Sequence, residues 1–253
     1  ILRSARSERF RSDEGQREAA ARLRAAGIDG LVVIGGDGSL RGALALSALG
    51  VSVCGIPATI DNDVPGSERA IGFDTAVNTV VAAVDRIRDT ATSHERTFVI
   101  EVMGRASGAI ALAAGLACGA ESILIPELPI DYDDICRRLL AGFARGKAHS
   151  ILIVAEGAAG AYQVAAEVSR RTGLDTRVTV LGHVQRGGSP TAADRILATR
   201  CGAAAALALR AQTGAYLTAV AGDRVEVRPL AAALHSPPPA PVDWARLAVV
   251  LAR

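Results

Sequence analysis

Short apolar runs alternate along the chain with longer segments in which apolar residues recur at helical spacing. The short runs are rich in Val and Ile, which is typical of strands buried on both faces of a parallel sheet. They cover residues 31–36, 51–56, 97–102, 122–127, 150–156 and 177–182, and helical spacing covers residues 13–27, 73–91 and 131–146. The run Gly108–Ala120 is too short to span a bilayer, so we predict a tightly packed helix there. The alternation predicts parallel βα units in a doubly wound α/β fold.

Composition excludes some classes of protein. The chain has 253 residues, of which 50% are hydrophobic, and it can therefore bury a large core. The net charge is +2 and aromatic residues make up 3%, which argues against a general nucleic-acid binder.

The first residues are basic but no apolar stretch follows them, so no signal peptide is predicted. The four cysteines have no metal-ligand or redox spacing, and we expect reduced core thiols in a cytoplasmic protein.

The strand that ends at Gly36 leads into a glycine-rich loop, IGGDGSLRGA, at residues 34–43. In doubly wound sheets, ligands bind where strands end and helices begin. Glycines let the backbone approach an anion, and the following helix points its N-terminal amides at the same place, which together form a phosphate site. Asp37 adds a candidate magnesium ligand. A plain glycine-rich turn is the alternative, and similar loops occur in lipid and NAD kinases.

The segment PATIDND, residues 57–63, places two aspartates directly after the second predicted strand. On an extended backbone Asp61 and Asp63 point to the same side, so both would face one ligand. Phosphoryl transfer uses such a pair, with one carboxylate as the base for the attacking hydroxyl and another to hold the metal. The alternative is an Asn/Asp turn that caps the next helix.

A third strand end, LGHVQRGGSP at residues 181–190, carries His183 and Arg186. Together with Arg177 they place cationic and donor groups where a sugar phosphate would need them. A single histidine at this position would more often be structural, but the grouping favours a phosphate site.

These motifs together resemble the 6-phosphofructokinase family, and within it the bacterial ATP-dependent branch. The resemblance rests on GGDGS, PATIDND, GFDTAVNTVV, the run from TATSHER to EVMGR, and VLGHVQRGGSP, in this order and at this spacing. It implies two doubly wound, Rossmann-like domains: residues 1–72 and 185–235 for the nucleotide, and residues 73–184 and 236–253 for the sugar phosphate and an effector. It also implies that the chain is truncated at its N-terminus and lacks the first strand–loop–helix units of the family.

The implied activity is the transfer of a phosphoryl group from ATP, with Mg²⁺, to the 1-hydroxyl of D-fructose 6-phosphate, a cytoplasmic step of glycolysis. Asp61 is then the general base, with Thr59 and Arg105 as the other catalytic residues. Asp37 and Asp63 are the metal ligands. The positions that match the ATP site are Arg6, Arg11, Asp37, Gly38, Ser39 and Gly42.

The resemblance also implies a sugar phosphate site and an effector site. The substrate positions are Thr59, Asp61, Asp63, Arg96, Met103, Gly104, Arg105, Glu156, Arg177, His183 and Arg186. In the family Arg96 and Arg177 reach the site from a neighbouring subunit, which implies a homotetramer with shared active sites. Positions for an ADP or phosphoenolpyruvate effector are Arg88, Gly119, Glu121, Arg145, Lys147 and His149, with a solvated basic helix end as the alternative.

The phosphoryl donor follows from two small residues. In the pyrophosphate-dependent branch an Asp commonly stands at the position of Gly38 and a Lys at that of Ala58, and these side chains fill the space of the nucleotide α-phosphate. Both positions are small here, so the resemblance favours ATP. A pyrophosphate-dependent enzyme and a non-catalytic relative that binds nucleotide or sugar phosphate are the alternatives.

The double substitution Gly38→Asp with Ala58→Lys is expected to shift donor preference from ATP toward pyrophosphate, because it fills the α-phosphate space. The measurement is the ratio of kcat/KM for the two donors, with each single substitution as a control. An unchanged preference for ATP in the double variant would contradict the steric explanation.

Overall fold

The structure is a computed structural model that describes residues 7–91, 96–211 and 213–237, together with residues 244 and 247. The strands are β1 Gly30–Gly35, β2 Ser52–Pro57, β3 Thr97–Val102, β4 Ser122–Leu124, β5 Ser150–Ala155, β6 Thr176–Val180, β7 Ala215–Ala221 and β8 Arg224–Pro229. The α-helices are α1 Asp13–Ala25, α2 Asp37–Ala48, α3 Phe73–Ala91, α4 Ala109–Cys118, α5 Tyr132–Ala144, α6 Ala161–Thr172, α7 Ala192–Ala211 and α8 Leu230–His235. Short 3-10 helices cover Arg9–Arg11 and Gly182–Arg186. Among the described residues, no helix is both long and apolar enough to cross a membrane.

The chain forms two compact units from discontinuous segments. The first comprises Ile1–Thr59, Asp63–Ile71 and Arg195–Pro239, and the second Ile60–Asn62, Gly72–Asp194 and Ala240–Arg253, as far as their residues are described. Compared with the expected division at residues 72, 184 and 235, the chain leaves the second unit ten residues later, after Asp194, and Ile60–Asn62 belongs to the second unit. Most of the expected segment 236–253 lies outside the described residues.

A four-stranded sheet in the order β1-β2-β7-β8 forms the first unit. β1, β2 and β7 are parallel, and β8 returns antiparallel to β7. Alternate residues of the strands enter two apolar clusters, because side chains of a strand point to opposite faces. Val53 and Leu217 pack with Leu40 of α2 in one cluster, and Cys54 packs with Cys201 of α7 in the other.

The expectation that every strand is buried on both faces is wrong for β1, and also for the edge strand β6, in which Val180 is 47% exposed. Leu31 and Val33 pack against the cluster that contains α2, but Val32 is 38% exposed and Ile34 61% exposed. The physical reason is that β1 is the edge strand of its sheet in the described chain, and the cluster on the opposite face contains no β1 residue. A continuous apolar run does not by itself reveal which strand lies at an edge.

A second four-stranded sheet, wholly parallel and in the order β4-β5-β3-β6, forms the second unit. Helix α4 lies very close to it: a Cβ atom at Gly108 would lie 2.4 Å from Ile125 Cβ, and one at Gly115 would lie 2.4 Å from Ile123 Cδ1. The helix ends at Gly119, whose φ of 62° is left-handed. The predicted packed helix and the predicted parallel βα organisation are thus confirmed.

All four cysteines are buried, free thiols. Burial raises the pKa of the Cys54 and Cys118 thiols to about 11. They therefore behave as core residues, as the sequence predicts.

The longest segment of the second unit runs from Gly72 to Asp194, and the side chain of Asp194 is hydrogen-bonded to the start of that segment. Its carboxylate, 3% exposed, accepts hydrogen bonds from Gly72 N at 2.9 Å and from Thr75 N at 2.9 Å, and a further one from the Thr75 hydroxyl. These groups form the first turn of α3, where a negative charge is stabilising. Asp194 itself lies in the first turn of α7, so one side chain fixes the start of one helix to the start of another.

The substitution Asp194→Asn is expected to lower the free energy of unfolding by about 1.5–3 kcal/mol, because it removes the charge and turns one buried acceptor into a donor. Urea denaturation followed by circular dichroism measures the loss. The matched control is Asp131→Asn at the N-terminus of α5, where an exposed carboxylate accepts from Asp134 N and asparagine caps equally well. An equal loss in both variants would show that the buried network has no special importance.

Candidate active site

The glycine-rich loop links β1 to α2 in the first unit. Gly36 precedes the first turn of α2 and provides no side-chain cap, so the first amides of the helix have no capping side chain as acceptor. A Cβ atom at Gly35 would lie 2.7 Å from Ser39 Oγ, so this position is closed to larger residues unless Ser39 moves. A Cβ atom at Gly38 would have no neighbour within 4 Å. The loop therefore has the form of an anion site with open space beside it.

Asp37 is the first residue of α2, and its two carboxylate oxygens differ in hydrogen bonding. Oδ2 accepts a hydrogen bond from Arg41 Nε at 2.9 Å, and this contact raises the pKa of the Arg41 guanidinium. Oδ1 is buried and has no hydrogen-bond partner among the described residues. A buried carboxylate oxygen without a partner is a position that a cation would stabilise.

The segment 57–63 runs alongside this loop in its first part. Ala58 N donates to Gly35 O at 3.0 Å, and Thr59 N donates to Ile71 O at 3.0 Å. A Cβ atom at Gly36 would lie 3.6 Å from Thr59 Cβ. Ala58 and Thr59 therefore lie directly beside the glycine-rich loop.

The backbone from Asp61 to Asp63 is not extended, contrary to the condition under which both carboxylates would point to one side. The chain bends at Ile60 and Asp61, and Asn62 has a left-handed φ of 50°, which asparagine tolerates better than most residues. Asp61, 5% exposed, falls in the second unit, whereas Asp63 falls in the first. A shared ligand for the two carboxylates therefore stays a prediction.

In the second unit, the residues that follow β3 and β5 meet at the carboxyl edge of the sheet. Gly104 N and Arg105 N both donate to Glu156 Oε1, at 3.2 Å and 2.8 Å. The turn is tight, because Gly104 has a φ of 145° and Arg105 a left-handed φ of 55°. A Cβ atom at Gly157 would lie 2.0 Å from Arg105 O, so the two loops touch backbone to backbone. The structure therefore brings the predicted substrate positions Met103–Arg105 and Glu156 together.

The residues after β6 form the 3-10 helix Gly182–Arg186 at the same edge of the sheet. Leu181 N donates to Glu101 O at 3.1 Å, which places the start of this helix beside the end of β3. His183 and Arg186 are exposed, whereas Gln185 between them is 1% exposed and accepts from Met103 N at 3.2 Å. The predicted donors thus lie at the same edge as Met103, and Gln185 is a residue that sequence reasoning missed.

Arg96 and Arg177 lie elsewhere. They flank Asp175 at the start of β3 and β6, and both donate to its Oδ2, at 3.0 Å each. This is the amino edge of the second sheet, opposite to Met103–Arg105. Within one chain, these two arginines are therefore not part of the same cluster.

The predicted effector positions also lie at the amino edge of the second sheet. Lys147 pairs with Glu121 Oε1 at 2.5 Å, and Arg88 donates to Cys118 O next to Gly119. Arg145 directly follows α5, and Nδ1 of His149 is buried without a hydrogen-bond partner among the described residues. The six positions thus belong to neighbouring elements.

Of the two basic residues predicted for the nucleotide, Arg6 lies outside the described residues. Arg11 ends the 3-10 helix Arg9–Arg11, is exposed and pairs with Glu8 at 3.2 Å. Phe10 beside it approaches α2 so closely that a Cβ atom at Gly42 would lie 3.1 Å from its ring. Arg11 therefore comes from a segment packed against the helix that also carries Ser39 and Gly42.

Gln185 could not be found from hydropathy. In this helix the apolar Val184 is 63% exposed, whereas the polar Gln185 next to it is buried. Hydropathy alone would predict the opposite. One partner of Gln185, Met103, directly follows β3 and lies 82 residues away, and the other is in its own turn, so the local pattern does not encode either.

Comparison with known proteins identifies the family and the fold of the chain. The family model described as phosphofructokinase matches residues 1–209. The chain is 63% identical over 205 residues to an ATP-dependent 6-phosphofructokinase of Brevibacillus brevis, a match that covers 81% of this chain and 64% of that protein. A protein of the same name from Natranaerobius thermophilus is 59% identical over 205 residues, with 81% and 64% covered. The structure of phosphofructokinase from Saccharomyces cerevisiae matches with a TM-score of 0.85 and 36% identity, over 91% of this chain and 35% of that chain.

The chain thus spans 64% of the length of these two bacterial relatives. The family model covers most of the chain, and the structural match extends over both units. The α/β fold and the resemblance carried by the motifs are confirmed. The chain belongs to the phosphofructokinase family, on the bacterial branch whose members are named ATP-dependent 6-phosphofructokinase.

Proposed function

We propose that the full-length protein transfers the γ-phosphoryl group of ATP to the 1-hydroxyl of D-fructose 6-phosphate, giving fructose 1,6-bisphosphate in the glycolysis of the cytoplasm. The observation that carries the proposal is the contact between the phosphate loop and the segment of the base: a Cβ atom at Gly36 would lie 3.6 Å from Thr59 Cβ. Asp61 follows Thr59 by two residues. The bacterial relatives that bear this name support the same reaction.

Phosphoryl transfer needs positioning and charge stabilisation more than covalent chemistry. Asp61 takes the proton of the attacking hydroxyl, and Thr59 beside the loop holds the transferred group in line. Arg105 offers an exposed guanidinium on a turn that Glu156 fixes through two backbone hydrogen bonds. A fixed turn places this charge with little reorganisation during the reaction.

The space around the loop supports ATP rather than pyrophosphate as the donor. Gly38 opens onto free space, and Ala58 adds only one methyl group beside Gly35. A nucleotide α-phosphate therefore has room that a larger side chain at either position would take. Arg11, Ser39 and Gly42 come from the segments around this space.

Mg²⁺ fits the residues present. Asp37 Oδ1 is a buried, hard oxygen donor without a protein partner among the described residues, and Asp63 supplies a second carboxylate in the same unit. No group of three or more His, Cys, Asp or Glu side chains in the described part of the chain could hold a metal ion. Magnesium usually takes only one or two carboxylates and completes its shell with water and substrate phosphates, and it neutralises the charge of those phosphates.

The placement of Arg96 and Arg177 supports a shared site. Arg177 precedes Leu181 by four residues, about 13 Å along a strand, and Arg96 precedes Met103 by seven, about 23 Å. Neither arginine reaches the carboxyl edge of its own sheet, so each serves the sugar phosphate site of another subunit in a homotetramer. The group around Glu121 and Lys147 takes an ADP or phosphoenolpyruvate effector.

The substitution Asp61→Ser in the full-length protein is expected to lower kcat by about 10²–10⁴-fold, because it removes the general base. A coupled assay for fructose 1,6-bisphosphate measures the rate. The matched control is Asp223→Ser, an exposed carboxylate in the turn between β7 and β8, which should leave the rate unchanged. A rate within a few-fold of the parent for Asp61→Ser would refute the assignment of the base, and a parent without activity would favour a non-catalytic relative.

The substitution Arg41→Gln is expected to tighten Mg²⁺ binding by up to about fivefold, because an exposed ion pair of up to about 1 kcal/mol no longer competes for the Asp37 carboxylate. Calorimetric titration with Mg²⁺ in the presence of a non-hydrolysable ATP analogue measures the affinity. Arg22→Gln, which breaks a similar i,i+4 pair with Glu18 on α1, is the control. Weaker Mg²⁺ binding in Arg41→Gln would show that Arg41 assists the site instead.

A further inference from the structure

Gln185 lies between two proposed phosphate donors but its own side chain points into the protein. It is 1% exposed, whereas His183 and Arg186 on either side are exposed. Glutamine is rarely buried to this degree, because its amide needs both acceptor and donor partners. Both are present here.

The Gln185 amide joins the end of β3 to the start of the 3-10 helix. Its Oε1 accepts from Met103 N at 3.2 Å, and its Nε2 donates to Gly182 O at 3.1 Å. The partners fix the orientation of the amide, because a backbone N–H can only donate and a backbone carbonyl can only accept. The two hydrogen bonds therefore define one position of the helix relative to Met103.

The residues on both sides of this link belong to the proposed sugar phosphate site. Met103 leads directly into Gly104 and Arg105, whose amides are held by Glu156 Oε1. On the other side, His183 and Arg186 are exposed, and the backbone of a five-residue 3-10 helix sets where they lie. The position of this helix backbone therefore determines where His183 and Arg186 can contact a phosphate.

We propose that Gln185 is the positioning residue of the sugar phosphate site, which holds His183 and Arg186 at the distance from Met103–Arg105 that fructose 6-phosphate requires. The proposal rests on the proposed function, because it assigns the ligand of that same site. Binding sites lose much of their affinity when a supporting residue lets the contacting groups drift by about 1 Å. Gln185 itself touches backbone groups, not substrate.

Removal of the link should raise KM for fructose 6-phosphate rather than lower kcat. The 6-phosphate lies at the far end of the sugar from the 1-hydroxyl, so contacts to it are made equally in the ground state and the transition state. We expect KM for fructose 6-phosphate to rise about 10- to 100-fold, the loss typical of one or two buried hydrogen bonds. KM for ATP and kcat should stay within about threefold.

The test compares Gln185→Met, which keeps length and burial but makes neither hydrogen bond, with the control Gln163→Met on the exposed face of α6. Both are measured in the full-length protein for kcat, both KM values and thermal stability. A selective rise of KM for fructose 6-phosphate in Gln185→Met alone supports the proposal. Unchanged KM values, or equal losses for both substrates and kcat, overturn it.

The variant Gln185→Glu gives a second, independent readout. Its charged form cannot donate to Gly182 O and repels a phosphate, whereas its protonated form restores the O–H donor. Burial favours the neutral form of a carboxyl group. The ratio of KM for fructose 6-phosphate in Gln185→Glu to that in the parent should therefore fall as the pH falls. A ratio that does not change with pH overturns the proposal, even if Gln185→Met fails to fold.

The parent protein separates the two proposals. Calorimetric titration of the parent with fructose 6-phosphate, together with its turnover, tests the proposed function alone. A parent that neither binds nor phosphorylates this sugar overturns both proposals, whereas an active parent with an unaffected Gln185→Met overturns only the role of Gln185.

Discussion

Backbone amides at the start of a turn or helix have no partner within their own element, and in this protein side chains from neighbouring elements supply the missing acceptors. Glu101 accepts from Ala161 N at the start of α6, at 2.8 Å, and Glu127 from Gly108 N before α4, at 2.9 Å. Asp194 serves α3 in the same way. Each contact satisfies a polar group that would be costly to bury alone, and each fixes one element against another.

This constraint divides the acidic side chains into two groups. Both oxygens of Asp194, and Oε2 of Glu101, accept hydrogen bonds from the starts of helices, so these acids hold the scaffold. Asp37 differs, because one of its oxygens is buried and has no partner among the described residues. The difference in hydrogen bonding, rather than the presence of a carboxylate, separates candidate metal ligands from structural acids.

Much of the fold could be predicted because its strands are local apolar runs. β3 occupies the predicted residues 97–102, and β5 ends one residue earlier than predicted. β4 is shorter, Ser122–Leu124, since Pro126 lacks an amide for pairing. Predicted burial failed at the edge strands β1 and β6, because position within a sheet depends on which strands pair.

The site was predictable in its glycines and charges but not in its backbone path. A left-handed Asn62 changes where Asp63 points, and no spacing rule reveals it. Gln185 could not be predicted for a related reason, since the fold brings its amide to two backbone groups, Met103 N and Gly182 O. Motifs locate chemistry at strand ends, whereas hydrogen bonds between distant segments decide which side chains share a surface.

The buried thiols make the chain a suitable background for site-specific labelling. Burial raises the pKa of the Cys54 and Cys118 thiols to about 11, so the reactive thiolate is scarce at neutral pH. Burial also raises the pKa of Cys136 and Cys201. A cysteine introduced at an exposed position such as Val184 would react with maleimide dyes far faster than the native four, so a single fluorophore could report on the phosphate-binding helix without removal of any core residue.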